Sequence, residues 1–199
     1  MPDARKTIGF FGGTFDPVHN GHLAIAESFL DSKFIDELWV FLSPSPPHKK
    51  QHRFAPFPKR LEMLKAAFNP MKDVLVSDLE LSLSEPSYTV HTISYLKNTY
   101  PDYTFYLCMG KDSFLSFTNW HKWQEILDQA ELLVADRPIN ASPDPQQKLS
   151  KHTHFVDHEA VAISSSQVRK NIQEQTSVSH LIPAAVFDII QRDHLYTKT

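Results

Sequence analysis

The histidines at positions 19 and 22 have the chemistry and spacing to bind a phosphate group. They lie three residues apart at the predicted start of a helix, so both imidazole rings can project from one turn toward the same point. The unpaired N–H groups and partial positive charge of a helix N-terminus favour an anion there. His19 and His22 are therefore predicted to donate hydrogen bonds to phosphate oxygens as negative charge develops.

Two other interpretations of the histidine pair carry less weight. A zinc site needs a third ligand with suitable spacing, and none is evident in the sequence. In the other interpretation, one histidine caps the helix while its partner lies at the surface. That interpretation would be preferred for an isolated His-x-x-His, but the preceding segment, Gly12-Gly-Thr-Phe-Asp-Pro17, favours the phosphate site.

Glycines are concentrated around the histidine pair. The chain has five glycines, and four of them lie within residues 7–23: Gly9, Gly12, Gly13 and Gly21. Glycine lets a backbone bend tightly or approach a ligand closely. A ligand site is therefore predicted where the first strand passes into the first helix.

Strand and helix patterns alternate along the chain. Nearly continuous apolar runs are typical of strands covered on both faces, and segments with helical apolar periodicity lie between them. The predicted strands cover residues 8–11, 37–42, 73–77, 104–109, 131–135 and 154–157. The predicted helices cover residues 19–30, 58–68, 88–96, 120–129, 164–172 and 183–192.

This alternation predicts a single α/β domain over residues 1–199, with a doubly wound, Rossmann-like parallel sheet flanked by helices. Such sheets bind ligands at the carboxyl ends of their strands, near the point where strand order reverses. The segments 12–14, 43–50 and 110–112, together with Arg137, each follow a predicted strand. They are therefore expected to converge on one edge of the sheet.

Composition narrows the class of protein. The 199 residues carry a formal net charge of −3, which argues against a general nucleic-acid binder. The single cysteine, Cys108, lies in an apolar run and is interpreted as a buried structural residue. Neither a signal peptide nor a membrane span is apparent, so we expect a cytoplasmic protein that binds neither nucleic acid nor membrane.

The segment Gly12-Gly-Thr-Phe-Asp-Pro-Val-His-Asn-Gly-His22 resembles the signature of the nucleotidyltransferase superfamily that carries the His-x-Gly-His motif. Within it, the chain most closely resembles the bacterial nicotinate-nucleotide adenylyltransferases, nearly from end to end. The first motif identifies only the superfamily, whereas the whole set is specific. The other matching segments are Ser45-Pro-Pro-His-Lys49, Pro86-Ser-Tyr-Thr89, Gly110-Lys-Asp112, Trp120, residues 132–138, Ile163-Ser-Ser-Ser-Gln-Val-Arg169 and the tail from Leu181 to Tyr196.

The resemblance implies that AMP is transferred from ATP to nicotinate mononucleotide, giving nicotinate adenine dinucleotide and pyrophosphate in NAD biosynthesis. The acceptor brings its own anionic nucleophile, so direct in-line attack needs no covalent enzyme intermediate. Catalysis then consists mainly of positioning and charge stabilisation, to which Mg²⁺ on the triphosphate contributes.

The resemblance also implies residue roles. The catalytic residues are expected to be His19, His22 and Arg169. Substrate binding is expected at Thr14, Phe15, Lys49, Thr89 and Trp120. ATP binding is expected at Gly12, Gly13, Thr14, Phe15, His19, His22, Asp112, Arg137, Ile163, Ser164, Ser165 and Arg169. The family usually has threonine at the position of Ser166, where serine keeps the hydroxyl.

Several of these residues also have a purely structural interpretation. Asp112 and one of the serines at positions 164–166 would each cap a helix, and Trp120 would lie in the core. Lys49 would belong to a basic surface loop.

Two alternative functions remain open from the sequence, and a third is disfavoured. The acceptor could be nicotinamide mononucleotide, because the acid and the amide are distinguished by backbone donors that the sequence does not reveal. It could also be phosphopantetheine. A nucleotide sensor without catalytic activity is a second alternative, although it would not need the full set of His19, His22 and Arg169. An RNA-binding function is not supported, because the sequence contains no run of basic residues. The sequence also leaves open whether the chain forms a homo-oligomer.

Overall fold

Helices flank both faces of a six-stranded parallel sheet in the computed structural model, which describes residues 5–44, 54–136 and 149–197. The strands are β1 (Thr7–Gly13), β2 (Glu37–Leu42), β3 (Val74–Ser77), β4 (Thr104–Gly110), β5 (Glu131–Asp136) and β6 (Thr153–Asp157). The helices are α1 (Asn20–Asp31), α2 (Phe57–Phe68), α3 (Thr89–Thr99), α4 (Lys111–Leu115), α5 (Trp123–Leu127), α6 (Ser165–Gln173) and α7 (Ala184–Arg192).

The strand order, β3-β2-β1-β4-β5-β6, confirms the doubly wound fold. β1 pairs in parallel with β2 on one side and with β4 on the other, so Phe10 lies between Trp39 and Leu107. The chain leaves β1 toward β2 and β3 and then returns to β4, so the direction of winding reverses between β1 and β4. A ligand cleft is expected at the carboxyl ends of these two strands.

The sheet has a hydrophobic core on each face, because successive side chains of a strand point to opposite sides. On one face, Phe11 packs with residues of α1, α2, α6 and α7. On the other, Ile8 and Phe10 pack with residues that include Val90, Ile93 and Leu96 of α3.

Most predicted elements agree with the structure to within one to three residues, but the helix predicted over 120–129 is wrong in extent. It begins only at Trp123, because Trp120 has an extended backbone and Lys122 adopts a left-handed conformation with φ of 54°. Trp120 therefore caps a short 3₁₀ turn, Phe117–Asn119, and does not lie on a helix. A second 3₁₀ turn, Leu79–Ser82, and the short helix α4 were not expected.

Two of the residues considered in the sequence have structural roles. A Cβ atom at Gly9 would lie 2.6 Å from the side chain of Ile35 and 2.9 Å from that of Cys108, so this glycine permits close packing under the sheet. Cys108 is buried as predicted, and burial raises the pKa of its thiol. Among the described residues, no helix is both long and apolar enough to cross a membrane.

Candidate active site

A cleft opens where the carboxyl ends of β1 and β4 meet. Its lining includes residues predicted to bind two different substrates: Gly12, Gly13 and Thr14 at the end of β1, together with Thr89 and Trp120. Gly110 and Ser113, which follow β4, also line it. Residues 12–14, Ser43 and Gly110 therefore meet at this edge of the sheet, as expected, whereas residues 45–50 and Arg137 lie outside the described residues.

The two histidines lie at the start of α1, with His19 at the N-cap position. Their rings stack with centroids 3.7 Å apart, and the ring of Phe15 packs edge-on against His22 at 4.9 Å. The backbone N–H of His19 donates a hydrogen bond to Nδ1 of His22 over 3.1 Å. Because Nδ1 accepts this bond, the proton of a neutral His22 lies on Nε2, which becomes a hydrogen-bond donor.

Burial sets the charge of His19. Only 6% of this residue is exposed, and burial lowers the pKa of its imidazole to about 4. The ring is therefore neutral near pH 7. Its Nδ1 atom has no hydrogen-bond partner within the described parts of the chain. That nitrogen is itself buried, so His19 is an uncharged ring with one nitrogen unpaired among the described residues.

The turn between β1 and α1 depends on one of its two adjacent glycines. Phe15 has a φ of 44°, and its ring lies over Gly13, where a Cβ atom would approach it to 2.8 Å. A Cβ atom at Gly12 would meet nothing closer than the ring of Phe10 at 3.8 Å. Packing within the protein therefore requires glycine at position 13 but leaves room for a side chain at position 12.

The N-terminal end of α6 docks against this turn. Ser165 donates from Oγ to the carbonyl oxygen of Pro17 at 2.9 Å. Arg169 donates to the carbonyl oxygen of Asp16 at 2.6 Å and to Oγ of Ser166 at 3.2 Å. The second predicted phosphate element thus lies beside the first, and the guanidinium of Arg169 is already bound to the backbone of the turn.

Two other residues of this segment have structural contacts. Ser164 is the N-cap of α6 and accepts a hydrogen bond from the backbone N–H of Gln167. Ile163 packs against the hydrophobic core. Neither contact prevents a backbone N–H at the start of α6 from facing an anion.

A buried carboxylate anchors the turn to the C-terminal tail. Asp16 is only 3% exposed, and its Oδ1 accepts hydrogen bonds from the hydroxyl of Tyr196 at 2.7 Å and from the backbone N–H of Ala55 at 3.1 Å. Arg169 lies 3.8 Å from Oδ2. Burial, reinforced by the charge of Asp16, raises the pKa of the Tyr196 hydroxyl, which therefore remains a donor.

Sequence reasoning missed Arg60, which is 2% exposed. Its guanidinium donates hydrogen bonds to the carbonyl oxygens of Thr14 at 2.8 Å, Ser43 at 3.0 Å and Ala55 at 3.0 Å. These carbonyls belong to the turn after β1, the end of β2 and the segment before α2. One side chain therefore ties together three backbone segments around the cleft.

A signal for Arg60 was present in the sequence. Helical periodicity would place Leu61 with Leu64, Ala67 and Phe68 on the buried face of α2. The structure leaves Leu61 half-buried and buries Arg60 together with Met63, Leu64, Ala67 and Phe68. A charged residue at a position that helical periodicity places on the buried face has two explanations. Either the buried face is assigned wrongly, or the charged side chain is buried and has several hydrogen-bond partners. The structure shows the second case.

The part of the cleft beside α3 is lined by aromatic and hydroxyl groups. Trp120 packs against Phe117 with ring centroids 5.5 Å apart, and His121 stacks on Tyr88 at 4.2 Å. Thr89 is the first residue of α3. Glu80, His121 and Tyr88 also line the cleft, and none of them was predicted as a site residue.

Three predicted site residues remain: Asp112, Lys49 and Arg137. Asp112 is exposed in the first turn of α4, whose N-cap is Gly110, so it is not the helix cap considered from the sequence. Lys49 and Arg137 lie outside the described residues.

Comparison with known proteins gives a consistent result. The family described as "Cytidylyltransferase-like" matches residues 10–171. Probable nicotinate-nucleotide adenylyltransferases of Flavobacterium johnsoniae and Shewanella pealeana are 32% and 34% identical to the chain. The first alignment covers 96% of this chain and 99% of the relative, and the second covers 95% of each.

Solved structures share the fold. Nicotinic acid mononucleotide adenylyltransferase of Plasmodium falciparum, complexed with NaAD, superposes with a TM-score of 0.79 at 21% sequence identity. The superposition covers 96% of this chain and 98% of the other. A putative nicotinate-nucleotide adenylyltransferase from Vibrio parahaemolyticus gives a TM-score of 0.73 at 19% identity, covering 98% and 97% of the two chains.

Proposed function

The chain belongs to the cytidylyltransferase-like family and, within it, to the nicotinate-nucleotide adenylyltransferases, and we propose that it transfers AMP from ATP to nicotinate mononucleotide. The products are nicotinate adenine dinucleotide, which is an NAD precursor, and pyrophosphate, which is the leaving group. One observation carries the proposal beyond the family. A single cleft joins the glycine-rich end of β1 to a wall of aromatic and hydroxyl side chains that includes Thr89 and Trp120.

The reaction is a direct displacement at phosphorus. A phosphate oxygen of nicotinate mononucleotide attacks the α-phosphorus of ATP, and the bond to the bridging oxygen breaks, so pyrophosphate leaves with the electron pair. The nucleophile is already an anion, so no general base is required. The protein therefore has two tasks, to align two anions and to stabilise the charge that accumulates on the leaving group.

We assign the second task to the start of α1. His22 presents Nε2–H as a donor because its Nδ1 accepts from the backbone of His19. His19 acts as a neutral donor because burial lowers the pKa of its imidazole to about 4. The N–H groups of the helix start add partial positive charge. Arg169 and the hydroxyls at the start of α6 extend this cradle toward the terminal phosphates.

ATP is proposed to enter as its complex with a divalent metal ion, the usual form in nucleotidyltransferases, and Mg²⁺ is the ion we propose. Among the described residues, no group of three or more His, Cys, Asp or Glu side chains could hold a metal. The phosphates themselves would therefore carry the ion, which neutralises charge on the pyrophosphate when bound.

The acceptor is proposed to bind at the α3 side of the cleft. Trp120 offers an aromatic face to the positively charged pyridinium ring, an arrangement favoured by cation–π attraction. Thr89 lies at the start of α3, where its hydroxyl and neighbouring backbone N–H groups suit the nicotinate carboxylate. Gly12, Gly13, Thr14 and Phe15 would then lie between the two substrates.

The remaining parts of the assignment concern the domain, the outer contacts of the nucleotide and the location. Residues 1–199 are proposed to form one nucleotidyltransferase domain, since all six strands join one sheet. Asp112 and Arg137 are proposed to lie on the adenosine side, and Lys49 beside the phosphates. A cytoplasmic location is also proposed. Assembly as a homo-oligomer remains a prediction.

One assay tests the function. Pyrophosphate release is followed with ATP and Mg²⁺ while nicotinate mononucleotide, nicotinamide mononucleotide and phosphopantetheine are supplied separately. We expect turnover with the nicotinate compound at a kcat/KM well above that of the other two. Preference for another acceptor would replace the proposed substrate, and turnover with none of them would favour a nucleotide sensor.

A further inference from the structure

The carboxyl group of Glu80 is buried at the cleft, and one of its two oxygens accepts no hydrogen bond from the described residues. Only 6% of the residue is exposed. Its Oε1 accepts a hydrogen bond from the hydroxyl of Thr92 at 3.0 Å, whereas Oε2 has no partner among the described residues. A buried carboxylate oxygen without a partner is costly. A ligand with a group that interacts favourably with this oxygen would therefore gain binding free energy.

Glu80 is the only Asp, Glu, Lys or Arg among the described residues that line the cleft. The other polar lining groups are mainly hydroxyls, including those of Thr14, Ser43 and Thr89. Burial raises the pKa of Glu80. The hydrogen-bonded hydroxyl of Thr92 opposes this rise, followed by the hydroxyl of Ser43, which lies near the carboxyl group without forming a hydrogen bond to Oε2. The formal charge available on this part of the cleft wall is thus negative, which is unusual for a site that must accept two phosphorylated substrates.

The substrates contain one group that suits such a wall. The phosphates and the nicotinate carboxylate would be repelled by Glu80, and the adenine of ATP is uncharged. The pyridinium ring of the mononucleotide carries a permanent positive charge, and the aromatic rings of Trp120 and Tyr88 line the same cleft. A carboxylate and aromatic faces together form a favourable environment for an organic cation.

Building on the proposed function, we propose that Glu80 provides the counter-charge for the pyridinium ring of the acceptor. It thereby acts as a specificity residue that favours an oxidised, positively charged mononucleotide over an acceptor with an uncharged ring. Trp120 supplies the stacking surface in this arrangement, and Glu80 supplies the charge.

The test compares nicotinate mononucleotide with its reduced 1,4-dihydro form, in which the ring is uncharged while the phosphate, ribose and carboxylate are retained. Dissociation constants are measured by calorimetry at about pH 8, where the reduced form is stable and the alkaline pH favours the ionised form of Glu80 against the rise in its pKa. For the wild-type protein, we expect the dissociation constant of the oxidised form to be lower than that of the reduced form by about tenfold or more. Equal affinities would overturn the proposal without any variant.

The substitution Glu80→Gln removes the charge but keeps the side-chain shape and an oxygen for Thr92. We expect the affinity for the oxidised acceptor to fall about tenfold or more, while the affinity for the reduced acceptor stays within about twofold of wild type. The KM for ATP should not change. A similar loss for both acceptors would indicate a hydrogen bond to the ribose, and would overturn the role as a counter-charge.

A matched control, Thr92→Val, deletes the hydrogen bond to Oε1 but leaves the carboxyl group in place. If Glu80 served only to hold the 3₁₀ turn against α3, both variants would weaken the two acceptors equally, and the proposal would fail. The measurement is also independent of the proposed reaction, because it uses binding alone. A wild-type protein that discriminates between the two rings but releases no pyrophosphate would contradict the proposed function and leave the role of Glu80 standing.

Discussion

The backbone N–H of His19 donates to Nδ1 of His22 over 3.1 Å, which fixes the proton of the neutral His22 ring on Nε2. The two stacked histidines therefore have different roles, although the sequence presents them as a symmetrical pair. His19 is buried, neutral and structurally constrained, whereas His22 is half-buried and oriented as a donor.

His22→Ala is expected to lower kcat by about 100- to 1,000-fold, because it removes a donor that stabilises charge formed mainly in the transition state. The KM values for both substrates should change much less. Steady-state pyrophosphate release measures both parameters. His91→Ala, which alters another half-buried histidine on α3, serves as the control and should retain kcat. A normal kcat for His22→Ala would contradict the assignment.

His19 should make stability depend on pH. Its pKa in the folded protein is about 4, below the ordinary value of 6.5, so only the unfolded chain takes up this proton between those values. The contribution is fully present above pH 6.5 and is lost as the pH falls toward 4, by about 3 kcal/mol in all. Urea unfolding at several pH values measures it. His19→Asn should flatten the slope relative to wild type, and an unchanged slope would refute the prediction.

Gly12 and Gly9 provide a matched pair of substitutions. A Cβ atom at Gly12 has no neighbour within 3.8 Å, so Gly12→Ala should leave the midpoint of thermal unfolding nearly unchanged. It should nevertheless raise the KM for ATP about tenfold or more, if the nucleotide lies against this backbone. Gly9→Ala forces a Cβ to within 2.6 Å of Ile35 and should instead lower stability. A wild-type KM in Gly12→Ala would argue against close approach of ATP.

Arg60→Lys should weaken both the fold and the site, because an ammonium cannot satisfy the three carbonyl oxygens that the guanidinium fork now binds. We expect the free energy of unfolding to fall by about 2–4 kcal/mol. We also expect kcat/KM to fall, since Thr14 and Ser43 line the cleft. Denaturant titration and steady-state kinetics measure the two effects. Arg192→Lys, in an exposed ion pair with Glu62, is the control and should change neither.

The two neighbouring tryptophans separate substrate binding from packing. Trp120 lines the cleft, whereas Trp123 packs against Phe117 at 6.2 Å. Trp120→Ala should raise the KM for nicotinate mononucleotide about tenfold or more through loss of stacking, while Trp120→Phe should retain most of the affinity. Trp123→Ala should lower the melting temperature without a selective effect on that KM. Equal KM changes in both alanine variants would place the acceptor elsewhere.

Much of the architecture could be predicted because it depends on local patterns. Apolar runs and helical periodicity are properties of short segments, and their alternation restricts the chain to a parallel sheet with crossovers. In a parallel sheet the carboxyl ends of all strands lie at one edge, so the ends of β1 and β4 are expected there from the order of elements alone. The extent of the helix near Trp120 was not predictable in this way, because the left-handed backbone of Lys122 interrupts a pattern that otherwise continues.

The sequence by itself determined the class of protein and the chemistry of its first turn, through the residues between Gly12 and His22 and the resemblance that they carry. Only the tertiary structure distinguished His19 from His22, gave Arg60 its three carbonyl partners and left an oxygen of Glu80 unpaired beside the cleft. The physical reason is that burial and hydrogen bonding between distant segments set the charge and orientation of a side chain. Thr14, Ser43, Ala55 and Arg60 are separated along the chain, and only folding brings them together.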